Sequence, residues 1–189
     1  MQKNIIIFFL VLLGLFARFL PHPPNFTPVA AIALFSGIYL SRNSGIILAL
    51  LVMIISDFFI GFYSWKLMLA VYLSFIMMVF LGGLAKKKRK MSLVMGITVS
   101  ASILFFLITN AAVWIFSGMY EHTVSGLIQC YYMALPFFKN TLMGNLLYMA
   151  LLVLMMEFYL LKSANLANFN LSFYFSKFRK KFYRKKPQF

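Results

Sequence analysis

Four side chains interrupt long apolar runs of this sequence, and each is a type that can do chemistry: Arg18, Asp57, Asn110 and Trp114. In a membrane span an ionised residue costs on the order of 2.5–3.5 kcal/mol at mid-helix on the insertion scale, so each such residue needs a partner or a ligand. Arg18 lies three residues before Pro21, and Asp57 five before Phe62. At ~1.5 Å rise per residue the two sit within a few ångströms of one depth, near the same ends of their helices. They can neutralise one another if those helices adjoin. Asn110 and Trp114 are spaced i, i+4 and share a helix face. An amide needs hydrogen-bond partners in hydrocarbon, and an indole brings an N–H beside a broad apolar face. Together these groups suit a pocket that orients the polar edge of a small solute while aromatic faces hold its flat or apolar part. Two plainer roles compete: an ion pair that only fixes helix packing, and an interfacial belt position for Trp114.

The connections add polar groups. One runs Pro21-His22-Pro23-Pro24-Asn25-Phe26-Thr27-Pro28, with four prolines in eight residues. It is stiff, so it loses little entropy on closing over a ligand, and Asn25 is its amide. Thr27-Pro28 has the form of an N-cap followed by a first-turn proline. Another connection carries Tyr120, Glu121 and His122, followed by Gln129, Cys130, Tyr131 and Tyr132. His22, Glu121, His122 and Cys130 match no metal-binding spacing, so no metal centre is expected. His-Glu-x-x-His, Gly-x-Ser-x-Gly and Walker patterns are absent, and nothing orients a base for Cys130. A single intramembrane Asp excludes a two-aspartate protease dyad. The expectation is a chain that is not an enzyme, holds no cofactor and cannot hydrolyse ATP itself.

These groups must be positioned by membrane helices. The 189 residues have a mean hydropathy of +0.90, with 63% hydrophobic and 11% charged. A soluble domain is about 45–50% apolar and about 25% charged. One Cys excludes an internal disulfide framework and any Cys-only metal site. Apolar runs at 5–20, 27–40, 45–62, 66–85, 93–117 and 141–161 predict six transmembrane helices in an all-α bundle. A crossing needs about 20 residues; the last four qualify, and the first two are short. Residues 1–20 read as a retained helix, because no small-x-small cleavage site follows the run.

With both termini cytoplasmic, 15 of the 18 Lys and Arg fall on the inner side, leaving Arg18, Lys66 and Lys139. Residues 124–138 are then expected as a re-entrant or interfacial segment on the outer side, not a crossing. Glu157, near the inner end of the sixth helix, is expected to be structural. Residues 1–162 form the membrane domain. In the tail, 163–189, Leu171, Phe175, Phe178 and Phe182 follow helical spacing among bases. That pattern suits an amphipathic helix on anionic inner-leaflet lipid, and no nucleic-acid partner is expected.

The strings Arg18-Phe19-Leu20-Pro21-His22-Pro23-Pro24-Asn25-Phe26-Thr27-Pro28, Ser56-Asp57 with Gly61-Phe62-Tyr63, Thr109-Asn110 with Val113-Trp114, Gln129-Cys130-Tyr131 and Ala134-Leu135-Pro136-Phe137-Phe138 carry a resemblance. Across about residues 18–150 the chain resembles an uncharacterised bacterial multi-pass membrane family, a domain of unknown function often labelled as transport proteins. That family distantly resembles the substrate-binding S components of energy-coupling-factor (ECF) transporters. The resemblance implies an outer-half pocket closed by the first connection, with a transmembrane coupling subunit and ATPases as partners. The alanine motif that S components carry in helix one is reduced here to Gly14 and Ala17, and Asn145 is assigned no role. The expected function is capture of a vitamin-like or other small solute in the bacterial cytoplasmic membrane. Its pocket would be lined by Arg18, Asn25, Asp57, Asn110, Trp114 and Tyr131. The alternative is an envelope assembly or scaffold protein without transport activity.

Overall fold

A computed structural model describes the backbone of residues 2–167, and the expected amphipathic tail helix falls outside these described residues. The described chain is all-helical: α1 (Gln2–Phe19), α2 (Val29–Tyr39), α3 (Arg42–Ile60), α4 (Trp65–Leu84), α5 (Met91–Phe116) and α6 (Val124–Ala167). Four helices are long and apolar enough to cross a membrane: α3, α4, α5 and the 124–162 stretch of α6. The chain divides into two compact units, Met1–Leu152 and Val153–Phe189, and the features below belong to the first.

Local signals explain the helix starts. Pro28 already has helical angles (φ −76°, ψ −4°) and accepts the Ile32 N–H at 2.8 Å. Proline is tolerated there because its missing N–H would have no partner in a first turn. The side chain of Ser41 accepts the Ser44 N–H at 3.3 Å and caps α3.

The second helix is the centre of the packing. Ten of its eleven residues are buried, Val29 through Ile38. A helix apolar on every side belongs inside a bundle. At ~1.5 Å per residue it is only about 16 Å long, half the hydrocarbon thickness, so α2 by itself is not a crossing. It runs beside α4, its most extensive neighbour, with the Lys86 ammonium donating to the Leu40 carbonyl at 3.0 Å. The two backbones touch at Gly37 and Gly82: a Cβ on Gly37 would fall on the Val79 carbonyl oxygen, and one on Gly82 on that of Leu34. Small residues permit this approach, as at many helix crossings between membrane spans.

Basic residues gather at the end of the bundle where α2 and α4 finish. Beside Lys86, the Arg42 guanidinium lies 4.8 Å from the centre of the Phe80 ring, and that of Arg89 lies 4.9 Å from Tyr39. The opposite end carries the proline-rich connection.

The expected break between a re-entrant segment at 124–138 and a separate last helix is not there. A single 44-residue helix, α6, runs through Pro136. Proline in a helix interior removes one hydrogen bond and crowds the preceding turn, at a cost of about 3 kcal/mol. Packing on α5 offsets it. The Phe106 ring sits 5.4 Å from Tyr131 and 4.7 Å from Phe138, the rings flanking Pro136 in sequence. The Tyr131 hydroxyl donates to the Leu107 carbonyl at 2.7 Å, and the Cys130 thiol to that of Asn110 at 3.5 Å. Polar residues in 124–138 suggested irregular backbone, but these side chains are consumed in gluing one helix to another.

Candidate functional site

Helices α1 and α3 adjoin, and their polar residues meet. Arg18 Nη2 donates to Asp57 Oδ1 at 2.7 Å, and Nη1 points at the Met53 sulfur, 2.8 Å away. The Tyr72 hydroxyl of α4 donates to Asp57 Oδ2 at 2.8 Å. Both carboxylate oxygens are therefore occupied, and the Asp57 side chain is 1% exposed while that of Arg18 keeps 17%. The arginine is the member of the pair that can meet a solute.

It meets open space. A cavity of about 390 Å³ lies between Arg18 on α1 and the proline-rich connection, with Val29 and Ala30 at the start of α2. Asn25, Thr27 and His22 come from that connection, and Met53, Ile60 and Tyr63 from α3 and the turn after it. Val71 and Phe75 of α4, Phe105 of α5, and Thr141 and Asn145 of α6 complete the wall. Because α2 is short and sits beside the far half of α4, its first turn and the connection lie well below the near ends of the longer helices. The space above a half-length helix is what remains as the hollow.

The connection is held in shape by its own chemistry. The Phe26 N–H donates to the Pro23 carbonyl at 3.0 Å, closing a turn with Pro24 and Asn25 at its centre. Asn25 has φ +63°, in the left-handed region. Proline followed by a residue with positive φ is the pattern of a type II turn, and Asn is one of the few residues that adopts such angles readily. Asn140 Nδ2 donates to the Pro24 carbonyl at 3.1 Å, and the Phe26 ring packs 5.7 Å from Tyr148, tying the turn to α6. His22 Nδ1 lies 2.6 Å from the Leu20 carbonyl, so that nitrogen carries a proton and donates it there. Replacing Asn25 by Ala is expected to cost about 1–2 kcal/mol from backbone strain, whereas Asn25→Gly keeps the turn and removes only the amide. Thermal melts of the two variants beside wild type measure the difference, and equal midpoints would refute the strain.

The turn after α3 brings in Tyr63. Burial pushes its pKa up to about 12, the Asp57 charge adds to the rise, and the Arg18 charge partly opposes it. The phenol stays protonated at any physiological pH and offers the cavity a neutral hydroxyl.

Of the six residues expected to line a pocket, Arg18 and Asn25 do so, and Asp57 stands directly behind Arg18. The other three lie elsewhere. Asn110 Nδ2 donates to the carbonyl of Phe106 in its own helix at 2.8 Å. Trp114 Nε1 donates to the Glu121 carbonyl at 2.9 Å, across the α5–α6 turn, and Tyr131 is bonded to α5 as described. Their polar atoms are used within the α5–α6 hairpin, and none is on the cavity wall. In their place are Thr141 and Asn145, buried at 6% and 1%. Their i, i+4 spacing on one face of an apolar helix was the available signal for this pair. No group of three or more His, Cys, Asp or Glu suited to a metal occurs among the described residues.

No curated protein and no solved structure matches the chain. One family model does, over residues 1–168, from the first helix through the last described residue of α6. Its span includes Arg18, Asp57, the proline-rich connection and every residue of the cavity wall. The chain belongs to the family of unknown function DUF6580.

Proposed function

We propose that the protein is a multi-pass protein of the bacterial cytoplasmic membrane that binds a small solute in the cavity beside Arg18, as a transport component rather than an enzyme. One observation carries this proposal: a hollow of about 390 Å³ bounded by an arginine whose countercharge is buried behind it. Small-molecule sites are typically about 300–1,000 Å³, mostly apolar, with a few placed polar groups. Here Val71, Phe75, Phe105, Val29 and Ile60 supply the apolar wall, and Arg18, Asn25, Tyr63, Thr141 and Asn145 the polar groups.

The cavity faces outward in this proposal. Lys and Arg cluster at the opposite end, at Arg42 and 86–90, and basic residues favour the cytoplasmic side. A stiff connection over a half-length helix fits solute capture in the manner of an ECF S component, with a coupling subunit and ATPases as the partners that would drive release. Native mass spectrometry of the protein purified from its own membranes tests the proposal. A co-purified small molecule that is lost on Thr141→Phe, which fills the hollow, supports it. A protein that carries nothing, and whose melting midpoint no solute from a metabolite collection raises, refutes it.

A further inference from the structure

The hydrogen-bond directions around the cavity restrict what kind of solute it can hold, given the binding role proposed above. On α6 the Thr141 hydroxyl and one N–H of Asn145 are committed to protein acceptors. The Thr141 hydroxyl donates to the Phe137 carbonyl at 2.9 Å, so toward a solute its oxygen can only accept. Asn145 is oriented by a relay: the Ser102 hydroxyl donates to the Thr98 carbonyl at 2.9 Å, so its oxygen must accept from Asn145 Nδ2, also at 2.9 Å. That fixes the amide nitrogen toward Ser102 and leaves Oδ1 as the acceptor of Asn145. Both residues line the cavity, so a solute that donates to these oxygens gains hydrogen bonds there.

Two other lining elements supply donors. Arg18 uses N–H groups on Asp57 and Met53, and its guanidinium still borders the cavity with the rest. The first residues of α2, Val29 and Ala30, border it as well, and the first turn of a helix presents N–H groups without intrahelical partners. Arg18 and the start of α2 donate, and the oxygens of Thr141 and Asn145 accept.

Charge narrows the class further. Asp57 lies at 2.7 Å from Arg18 and cancels its charge, yet is too buried to touch a solute. A carboxylate bound here would add an uncompensated negative charge to a site of low polarity, which is unfavourable. It would also offer no hydrogens to Thr141 and Asn145. The geometry points to an uncharged solute with a carbonyl on one edge and N–H or O–H donors on another, of the amide, lactam or cyclic-imide class, with a flat or apolar body against Phe75 and Phe105.

Benzamide and benzoate are matched probes, equal in shape and different in charge and donors. Thermal-shift titration of the detergent-purified protein is expected to give benzamide an apparent Kd about tenfold below that of benzoate, a difference of about 1.4 kcal/mol. Thr141→Val, which removes one acceptor and keeps the shape, is expected to weaken benzamide about fivefold and to leave benzoate unchanged. Asp57→Asn strips the countercharge from Arg18 and is expected to reverse the order; should that variant not fold, the wild-type pair and Thr141→Val decide. Benzoate binding as tightly as benzamide overturns the solute class and leaves the cavity as a binding site. If neither probe shifts the midpoint, the co-purified molecule decides: an uncharged one with a carbonyl and an N–H or O–H donor upholds the class, any other overturns it, and none at all, with no solute of the metabolite collection raising the midpoint, removes the binding role together with the class.

Discussion

Arg18→Met is expected to destabilise the protein by about 3–5 kcal/mol, because it leaves a buried carboxylate without its countercharge. Asp57 is 1% exposed, and among the described residues its other side-chain partner is the Tyr72 hydroxyl, which can donate one hydrogen bond but carries no charge. The mirror change, Asp57→Asn, is expected to cost less. Arg18 is 17% exposed and borders the cavity, so its unpaired charge can be hydrated there, and Tyr72 can still donate to the amide oxygen. Removing both charges, Arg18→Met with Asp57→Asn, is expected to recover most of the loss, since exchanging a buried ion pair for neutral groups of similar volume is often near neutral. Melting midpoints of the four proteins in one detergent close the cycle. Solute binding separates the two roles of the pair: if Arg18 is there only to hold α1 against α3, the double variant binds as wild type does; if the guanidinium touches the solute, stability returns and binding does not.

The second large effect is expected at the α2–α4 crossing. Gly82→Ala places a methyl group on the Leu34 carbonyl oxygen, and Gly37→Ala places one on that of Val79. Forcing extra carbon into a packed interior typically costs about 1–3 kcal/mol where side chains can adjust. Here the obstacle is backbone in the middle of a helix, so the cost belongs at the upper end of that range or above it. Separating α2 from α4 would also shift Val29 and Ala30 on one side of the cavity and Val71 and Phe75 on the other, so solute affinity should fall with stability. Gly96→Ala is the control. It lies inside α5 with open space where its Cβ would go, and Ala is favoured over Gly in a helix by about 1 kcal/mol. Equal melting midpoints for Gly82→Ala and wild type would show that the two backbones do not meet as described.

Helix positions follow closely from local hydropathy. Segments expected at 45–62, 66–85 and 93–117 form α3, α4 and α5 within a few residues at each end. A twenty-residue apolar run is a local property, and any neighbour it finds will be apolar too, so tertiary contacts do not overrule it. The same holds for Pro28, whose angles suit a first turn whatever packs nearby. The meeting of Arg18 and Asp57 was legible as well, because two costly charges at matching depths have few alternatives to each other.

Asn110, Trp114 and Tyr131 show where such reasoning stops. Each needs a hydrogen-bond partner in an apolar setting, and the cost of lacking one is written in the residue type. The partner is not. Asn110 and Tyr131 found backbone carbonyls of α5, and Trp114 one in the α5–α6 turn, all as good as any solute at satisfying a donor. The continuous α6 is of the same kind: Pro136 and the polar residues before it favour a break, and the Phe106 ring of α5, packed against Tyr131 and Phe138, holds the helix together. The sequence by itself determined α3, α4 and α5, the basic cluster around 86–90 and the cost of leaving Arg18 and Asp57 without partners, all consequences of local hydropathy and of the cost of isolated charge. Only the tertiary structure decided that α2 starts part-way along α4, and that Thr141 and Asn145 line the hollow beside its first turn while Asn110 does not. Those outcomes depend on which helix lies against which, set by backbone contact at Gly37 and Gly82 and by ring packing across α5 and α6, and no local pattern encodes it.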